Sequence, residues 1–413
     1  MSEKDWKFCP FFKIDLEKVT NCEMSFDANM LAPNGAVESY VSNWYDLFSD
    51  ITFKSKIIDF SPDDANMIIE HNVANMQNRK PSSEAIEWLV GFREKIDLAL
   101  NEFKNELKKE NTNSNDLFFF VRLDRRSPKD AFIYAPLAHQ RFRNILTQFY
   151  QEEFNESNFQ SREEKFEWIN QKFGMNDERK LTAAETLSNK ISSTEEIFDL
   201  IFQSERVFHD LRREVEKKVE DQIHHIIFRE WDNCLKSHLE FRCFIYNFEI
   251  TALTQYDNVS YYSDIEANKE EILRAIRDLF DNKIQEKLKN ENSPFKEGRC
   301  VIDFAIYFND KKNDDNTSEP NQKLCSAKLV EINRFNELCG ASLFCWRKDH
   351  DFQVMTGQAP FEFRIVTEHM YDHVSYENVG FPDQIKWVKE SKKKIVYENG
   401  SLIDRFYMWK NKI

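Results

Sequence analysis

Glycine is scarce in this sequence, with eight residues among 413 that are scattered along the chain. Neither GxxxxGKS/T nor GxGxxG occurs, which excludes the glycine-rich phosphate loops of P-loop and dinucleotide-binding proteins. If the protein binds a nucleotide, charged side chains and a metal ion must hold the phosphates in place of a glycine cradle.

The eight cysteines lack the spacing of a metal site or a disulfide framework. No CxxC pair occurs, and Cys339 and Cys345 are the nearest two. This pattern is typical of reduced thiols in the cytoplasm and argues against structural zinc. Long apolar runs are also missing, so neither a membrane-spanning helix nor a signal peptide is predicted. We therefore expect a cytoplasmic protein with no membrane partner.

A basic excess is absent as well. Lys and Arg number 57 against 72 Asp and Glu, which gives a formal net charge of −15. General nucleic-acid binding depends on neutralising phosphates, so this balance argues against a direct nucleic-acid partner. Hydrophobic residues make up 41% of the chain, which is enough for a buried core. Because no heptad seam is visible, we expect a soluble monomer.

The first half of the chain alternates between strand patterns and helix patterns. Alternating residues at 52–58 and an apolar run at 117–123 predict strands, and a dense charged loop follows the second. Apolar spacing at 82–105 predicts an amphipathic helix. The polar stretch 61–82, with Pro62 and Pro81, predicts a loop. Residues 139–222 are strongly charged and are predicted to be mostly helical.

Strand patterns dominate from residue 223 onward. A helix is predicted at 268–288, and strands are predicted at 226–231, 239–246, 249–256, 300–308 and 327–335. The strands 239–246 and 249–256 are expected to pair as a hairpin across Asn247 and Phe248.

Three polar residues interrupt the last two of these strands. Asp303 lies inside an otherwise apolar strand, and a period of two places Glu331 and Asn333 on one face of the next strand. Two carboxylates and an amide oxygen suit Mg²⁺, which takes its other ligands from water and phosphate. The alternative is a set of buried acids that pair with nearby arginines or lysines.

A basic set accompanies these acids. Arg122 ends a strand, Lys129 lies in the next loop, and Arg229 and Arg242 lie among apolar strand residues. Cations in such surroundings need anionic partners, either the two acids directly or a bound polyphosphate. Asp130 is expected to orient Lys129 or to meet a ribose or metal. Surface salt bridges are the alternative for the loop charges Asp124, Arg125, Arg126 and Lys129.

Several segments together resemble one known family. They are NWYDLFSDITFKSKII (43–58), VRLDRRSPKDA (121–131), EFRCFIYNFEITALTQY (240–256), VIDFAIY (301–307) and LVEINRFNELCGASLFCW (329–346). In this order they resemble the cell division cycle protein 123 family, also called D123.

The resemblance implies a particular fold and division of the chain. It implies an α+β fold of the ATP-grasp type, with two lobes of antiparallel sheet and flanking helices and with a helical insertion. Residues 1–138 would contain the N-terminal region and first lobe, and 139–222 the mostly helical insertion and lobe connection. Residues 223–350 would form the second lobe with the nucleotide and metal site, and 351–413 a tail that packs on the lobes.

The resemblance also implies a ligand, ATP with Mg²⁺, and the residues that bind it. Asp303, Glu331 and Asn333 match the magnesium ligands. Ile227, Phe228 and Arg229 match the segment joining the lobes, whose backbone would meet adenine. The candidate cofactor-binding residues are Arg122, Asp124, Lys129, Asp130, Ile227, Phe228, Arg229, Glu240, Arg242 and Gln255.

The function implied by the resemblance is assembly of translation initiation factor 2, through binding of its gamma subunit. The aromatic cluster Trp44, Tyr45 and Phe48 would either face that partner or pack in the core. Arg122 and Glu331 stand where the family has Lys and Asp. The alternative is therefore a divergent ATP-grasp enzyme, either a ligase or a phosphoryl or nucleotidyl transferase. This alternative includes a bacterial mimic that is secreted into a host cytoplasm and acts on a host protein. No catalytic residue is assigned.

Overall fold

Two sheets organise the part of the chain that a computed structural model describes, namely residues 37–110, 117–151, 178–216, 223–308 and 325–368. The described strands are β1 (Ser55–Phe60), β2 (Phe119–Leu123), β3 (His224–Glu230), β4 (Glu240–Tyr246), β5 (Glu249–Gln255), β6 (Cys300–Phe308), β7 (Cys325–Asn333) and β8 (Glu362–Arg364). The order is β1-β3-β2 in the first sheet and β7-β6-β4-β5-β8 in the second. Every neighbouring pair is antiparallel except β5 with β8, which confirms the α+β class with antiparallel sheets.

Helices surround both sheets. The α-helices are α1 (Val41–Phe48), α2 (Pro62–Met76), α3 (Ser83–Glu110), α4 (Pro136–Gln151), α5 (Glu178–Ser188), α6 (Thr194–Gln203), α7 (Glu205–Glu216), α8 (Ser263–Ala267), α9 (Lys269–Leu279), α10 (Gln285–Lys289) and α11 (Asp349–Met355). Single 3-10 turns lie at Val37–Ser39, Ala131–Ile133 and Ser237–Leu239, and a π-helical turn lies at Phe280–Ile284. No helix in these described ranges is both long and apolar enough to cross a membrane.

The loop predicted at 61–82 is wrong, because most of it forms α2. Ser61 and Asp64 form a capping box in which each side chain accepts a hydrogen bond from the other residue's backbone. Pro62 occupies the first helical turn, where its missing N–H has no partner to lose and its fixed φ favours a helix. The proline indicated where a helix begins, whereas the polar composition suggested a loop.

The first lobe is built around the three-stranded sheet. One face of that sheet shares a hydrophobic core with helices α2, α3, α4, α6 and α7. The described parts of the stretch predicted as a helical insertion are helices, and they supply much of this core. Strand β3 also belongs to this lobe, since it pairs with β1 on one side and β2 on the other. The boundary predicted at residue 223 therefore assigns β3, a strand of the first sheet, to the second lobe.

The second lobe has a core on each face of the five-stranded sheet. One face packs against α8, α9, α10 and also α1, whose Trp44 and Phe48 are fully buried there. The aromatic cluster thus packs in a core, and Tyr45 is half-buried with its hydroxyl accepting a hydrogen bond from the Ser55 N–H at 2.8 Å. Part of the other face is covered by residues 335–355. The rest of that face carries the polar residues of the candidate site.

The strand predictions in this lobe are largely confirmed. The strand predicted at 300–308 has the same bounds in the structure, and the predicted hairpin forms between β4 and β5. Asn247 and Phe248 connect the two strands with φ values of 53° and 63°. Two successive positive φ values are the geometry of a type I′ turn, whose twist matches that of the flanking strands. The helix predicted at 268–288 forms, but the π-helical turn interrupts it.

Candidate functional site

A row of charged side chains crosses the second sheet. Arg242 on β4 lies directly across from Asp303 on β6, and Asp303 lies directly across from Glu331 on β7. Directly paired residues of antiparallel strands point to the same face, so the three side chains are neighbours. Asn333 lies two residues farther along β7 and donates a hydrogen bond from Nδ2 to Asp303 Oδ2 at 3.2 Å. The three predicted magnesium ligands are therefore brought together.

Arginines hold both carboxylates of this row. Arg242 donates from Nε and Nη2 to the two oxygens of Asp303, each at 2.8 Å, and Asp303 is fully buried. Arg122 donates from Nη2 to Glu331 Oε1 at 2.7 Å. Burial opposes ionisation of Glu331, but the charge and hydrogen bond of Arg122 prevail, so the pKa of Glu331 is lowered to about 2. Glu331 is thus ionised and paired at neutral pH, whereas burial raises the pKa of Asp303 against the opposing charge of Arg242.

The first sheet contributes two of the cations. Alternation along β3 turns Ile226 and Phe228 into the first core and Ile227 toward the second. Arg229 and its neighbour Arg122 on β2 share the face of Ile227, since Arg122 is paired with Ile227. The face that carries these two arginines therefore meets the second sheet, and the site lies between the lobes.

Arg229 lacks a carboxylate partner among the described residues. It donates from Nη1 to the Val330 carbonyl at 2.7 Å and from Nη2 to Thr52 Oγ1 at 2.8 Å. Its Nε is buried without a hydrogen-bond partner in the described ranges. Burial, together with the positive charge of Arg122, lowers the pKa of Arg229 to about 10. A buried cation with an unused donor is suited to an anion.

Lys129 and Glu240 complete the charged cluster. Lys129 is exposed and makes no ion pair or hydrogen bond with a described residue, but its Nζ lies 5.4 Å from the ring centroid of Tyr256. Burial, opposed by the Lys129 charge, raises the pKa of Glu240 to about 7. The four cations Arg122, Lys129, Arg229 and Arg242 therefore face three acids, of which Glu240 is only partly ionised at neutral pH.

This donor set fits a magnesium polyphosphate. Asp303, Glu331 and Asn333 present the hard oxygen atoms that Mg²⁺ prefers, and the surplus of cations suits phosphate groups. Within the described residues, no three His, Cys, Asp or Glu side chains form a group able to hold a metal. A metal here would accordingly depend on two acids, one amide and ligands from outside the protein.

Three of the predicted residues have structural roles in this arrangement. Asp124 accepts from the Ser42 N–H at 2.8 Å and pairs with His225, so both of its carboxylate oxygens have partners. Asp130 accepts from Ser204 Oγ at 2.6 Å and from the Arg206 N–H at 3.1 Å, at the beginning of α7. Both oxygens of Asp130 are thus used on its own lobe, which differs from the predicted contact with ribose or metal.

Gln255 is likewise engaged. Its Nε2 donates to the carbonyls of Asp257 and Ser260 at 2.7 and 2.8 Å, and its Oε1 accepts from the Val366 N–H at 3.2 Å. The side chain is fully buried. This amide therefore holds the turn after β5 to the segment near 366, and it has no free polar group for a cofactor.

The backbone of Ile227, Phe228 and Arg229 also differs from its predicted role. These residues lie in the middle strand of the first sheet, with β1 on one side and β2 on the other. The pairing continues to the Trp231 N–H, which donates to the Phe118 carbonyl at 3.0 Å. The pairing on both sides uses the hydrogen-bonding groups of this backbone, which leaves none of them for adenine.

Comparison with known proteins agrees with the order of these motifs. The D123 family model matches residues 44–385. The chain belongs to the D123 family. The segments that carry the resemblance, at 121–131, 240–256, 301–307 and 329–346, all lie within the matched range.

Two relatives of known name are similar to this D123 protein. A CDC123-like protein of Acanthamoeba polyphaga mimivirus is 24% identical over 349 residues, which is 83% of this chain and 79% of the viral protein. A translation initiation factor eIF2 assembly protein of Xenopus laevis is 25% identical over 166 residues. That match spans 39% of this chain and 42% of the frog protein.

Solved structures of a D123 protein were also found. Cdc123 from Schizosaccharomyces pombe matches with a TM-score of 0.46 and 20% identity, covering 80% of this chain and 96% of the yeast chain. A C-terminally truncated form of that protein matches with a TM-score of 0.49 and 20% identity, covering 81% and 98%.

Sequence reasoning missed three contributors to this D123 site. Thr52 accepts from Arg229, the Gly340 carbonyl accepts from Arg242 Nη1, and the ring of Tyr256 contacts both Lys129 and Arg242. Backbone carbonyls and a lone hydroxyl have no spacing pattern that could have indicated them. Tyr256 was already included in a motif, since it is the last residue of the segment 240–256.

Proposed function

We propose that this D123 protein binds ATP with Mg²⁺ between its two lobes and acts in the assembly of translation initiation factor 2 in the cytoplasm. The gamma subunit of that factor is the proposed partner. The observation that carries the nucleotide proposal is the surplus of cations around the acidic row, above all the buried Arg229 with no carboxylate partner among the described residues.

The roles of the side chains follow from their chemistry. Asp303, Glu331 and Asn333 would hold the metal, which would supply positive charge to neutralise a polyphosphate. Arg122 and Arg242 already neutralise the two acids, and both can donate several hydrogen bonds to phosphate in place of a carboxylate. Lys129 supplies a positive charge that forms no ion pair with a described acid. Each lobe contributes cations, so a polyphosphate would contact both lobes at once.

The partner proposal is supported by family membership and by the similarity to the frog protein, which is named an eIF2 assembly protein. An assembly factor needs no catalytic base, because ligand binding by itself stabilises the folded arrangement of the lobes by mass action. The fully buried Trp44 and Phe48 cannot serve as the docking surface in this arrangement.

A thermal unfolding experiment tests nucleotide binding. The protein is measured with ATP and Mg²⁺, with ATP and EDTA, and with Mg²⁺ alone. We expect ATP with Mg²⁺ at a hundredfold excess over its Kd to stabilise the fold by about 2.7 kcal/mol. Lys129→Met should weaken this protection, and Lys289→Met, which removes an exposed lysine near Phe248, should retain it. Absence of protection in the unaltered protein would refute the nucleotide proposal.

A binding experiment tests the partner separately. The immobilised protein is offered purified gamma, alpha and beta subunits of initiation factor 2 one at a time, with and without ATP and Mg²⁺. We expect retention of the gamma subunit alone. Retention of none of them, in a preparation that still binds nucleotide, would contradict the partner proposal and leave the nucleotide proposal standing.

One observation favours a second candidate function, that of an ATP-dependent transferase or ligase. The pKa of Glu240 is raised by burial to about 7, which is close to the value required of a general base at neutral pH. Labelled ATP distinguishes the two functions. Release of ADP or AMP that is lost in Glu240→Gln, while nucleotide protection is retained, would support an enzyme. Protection without release supports the assembly factor.

A further inference from the structure

Tyr256 follows β5 directly and contacts cations from both lobes. The guanidinium carbon of Arg242 lies 4.8 Å from its ring centroid, and Lys129 Nζ lies 5.4 Å from it. Both distances are within the range of about 6 Å in which a ring face attracts a cation. Arg242 comes from the second sheet, and Lys129 comes from the loop after β2 in the first lobe.

The backbone of Tyr256 fixes the ring in place. The Tyr256 N–H donates to the Glu240 carbonyl at 3.0 Å, which continues the pairing of β4 with β5. The Tyr256 carbonyl accepts a hydrogen bond from Ser342 Oγ at 3.4 Å. The ring is therefore anchored to the second sheet on both sides of its Cα atom, and it offers a fixed surface to side chains from the other lobe.

The two cations depend on this ring to different degrees. Arg242 has strong partners of its own, namely the two oxygens of Asp303 and the Gly340 carbonyl. Lys129 has no hydrogen bond or ion pair with any residue that the structure describes. The ring contact restrains its long side chain, and the charges of Glu240 and Glu331, which lie beyond ion-pair distance, add attraction. An unrestrained lysine would lose more conformational entropy on binding a ligand than one already held in place.

We propose that Tyr256 is a positioning residue for polyphosphate binding, with its ring holding the Lys129 ammonium beside Arg242 so that cations of both lobes face one ligand. This inference rests on the proposed nucleotide function and deepens it. The ring acts through Lys129, so its contribution should disappear when Lys129 is absent. The hydroxyl should contribute little, because the attraction comes from the face of the ring.

A double-mutant cycle tests the inference. The Kd of inorganic tripolyphosphate with Mg²⁺ is measured by calorimetry for Tyr256→Phe, Tyr256→Leu, Lys129→Met and the double variant. We expect Tyr256→Leu to weaken binding roughly two- to fivefold and Tyr256→Phe to leave it unchanged. In the Lys129→Met background, Tyr256→Leu should cause no further loss. Lys289→Met serves as the control, since its Nζ lies 5.8 Å from the Phe248 ring at the other end of the same hairpin.

A second measurement needs no ligand. The rate at which an acetylating reagent modifies Lys129, followed by mass spectrometry, should rise in Tyr256→Leu and stay unchanged in Tyr256→Phe. Tyr256→Met replaces Tyr256→Leu if the latter does not fold. Additive losses in the cycle, or an unchanged acetylation rate in Tyr256→Leu, would overturn the inference alone. Absence of any polyphosphate or ATP binding by the unaltered protein would overturn the proposed function and this inference with it.

Discussion

At the scale of single residues, Asp303 illustrates how a carboxylate is accommodated inside a sheet. It is fully buried, and a carboxylate without partners would carry a large desolvation cost there. Arg242 faces it on the neighbouring strand and provides a bidentate pair. The core lies next to this pair, because Phe244, two residues beyond Arg242 on the same strand, is packed in it.

Removing the charge of Asp303 should therefore leave Arg242 buried without its counter-ion. We expect Asp303→Asn to lower the free energy of unfolding by about 3–5 kcal/mol, as is found when one partner of a buried pair is removed. Urea denaturation measures the change. Asp50→Asn, which breaks the more exposed pair with Lys287, should cost less than about 1 kcal/mol. Equal losses of unfolding free energy in Asp303→Asn and Asp50→Asn would contradict the claim that burial makes the Arg242–Asp303 pair costly to break.

A second residue-scale prediction concerns pH. The hydrogen bond and charge of Asp124 raise the pKa of His225 above its ordinary value of 6.5, with a smaller contribution from Asp59. A raised pKa means that the stabilisation is fully present below pH 6.5 and is lost as the pH rises through the folded-state pKa. His225→Gln should cost about 1–2 kcal/mol near pH 6 and less near pH 9, measured by denaturant unfolding.

His71 offers the opposite trend as a control. Burial lowers the pKa of His71, so protonation in the unfolded state costs stability as the pH falls below 6.5. The difference between the unaltered protein and His71→Gln should therefore favour the histidine more at high pH than at low pH. If the pH dependence of stability had the same sign for His225 and His71, one of the two assigned pKa shifts would be wrong.

At the scale of elements, two glycines should respond to alanine in opposite directions. Gly298 has a φ of +73°, and a Cβ there would lie 2.8 Å from the Phe248 ring. Gly91 lies within α3, and nothing lies within 4 Å of a Cβ added there. We expect Gly298→Ala to destabilise the fold by about 1–3 kcal/mol and Gly91→Ala to stabilise it by up to about 1 kcal/mol.

Thermal and urea unfolding of the two variants checks this pair of expectations. Each substitution adds the same methyl group. A difference in the sign of the two stability changes therefore comes from the backbone conformation and the local space at each position. A loss of stability in Gly91→Ala would indicate that the exposed face of α3 is covered by something outside the described residues.

At the scale of the whole molecule, the two sheets are joined by a short seam. Thr52 forms a parallel bridge with Leu329, its hydroxyl donates to the Leu329 carbonyl at 2.8 Å, and the same oxygen accepts from Arg229. The β6–β7 register shifts beside Asp303, where Val330 offers its carbonyl to Arg229. The shift in register that places Glu331 opposite Asp303 is thus stabilised by Arg229, a residue of the other lobe.

Loss of the Thr52 hydroxyl should weaken the contact between the lobes. We expect Thr52→Val to lower the free energy of unfolding by about 2–3 kcal/mol, because it removes the partner of Arg229 Nη2 and of the Leu329 carbonyl. Denaturant unfolding measures the loss. Ser49→Ala, which removes an exposed hydroxyl bonded to the Asp46 carbonyl, should change stability by less than about 0.5 kcal/mol. Comparable losses of stability in Thr52→Val and Ser49→Ala would contradict a stabilising contact between the two sheets at Thr52.

Local periodicity was sufficient to predict much of the secondary structure. The bounds of β6, the β4–β5 hairpin and the long helix near 82–105 follow from patterns of two and of 3.6 residues, which depend only on neighbours in the chain. The same period of two correctly placed Glu331 and Asn333 on one face. The helix α2 was missed because its cap was outweighed by polar composition, although the capping residues were visible in the sequence.

The sequence by itself determined the α+β class, the D123 motifs and the residue types that converge between the lobes. Only the tertiary structure decided which acid each arginine meets, that Asp124, Asp130 and Gln255 have structural partners, and that Arg229 has no acid among the described residues. The physical reason is separation along the chain. Arg122 and Glu331 are 209 residues apart, and no local pattern encodes a contact that chain folding alone creates.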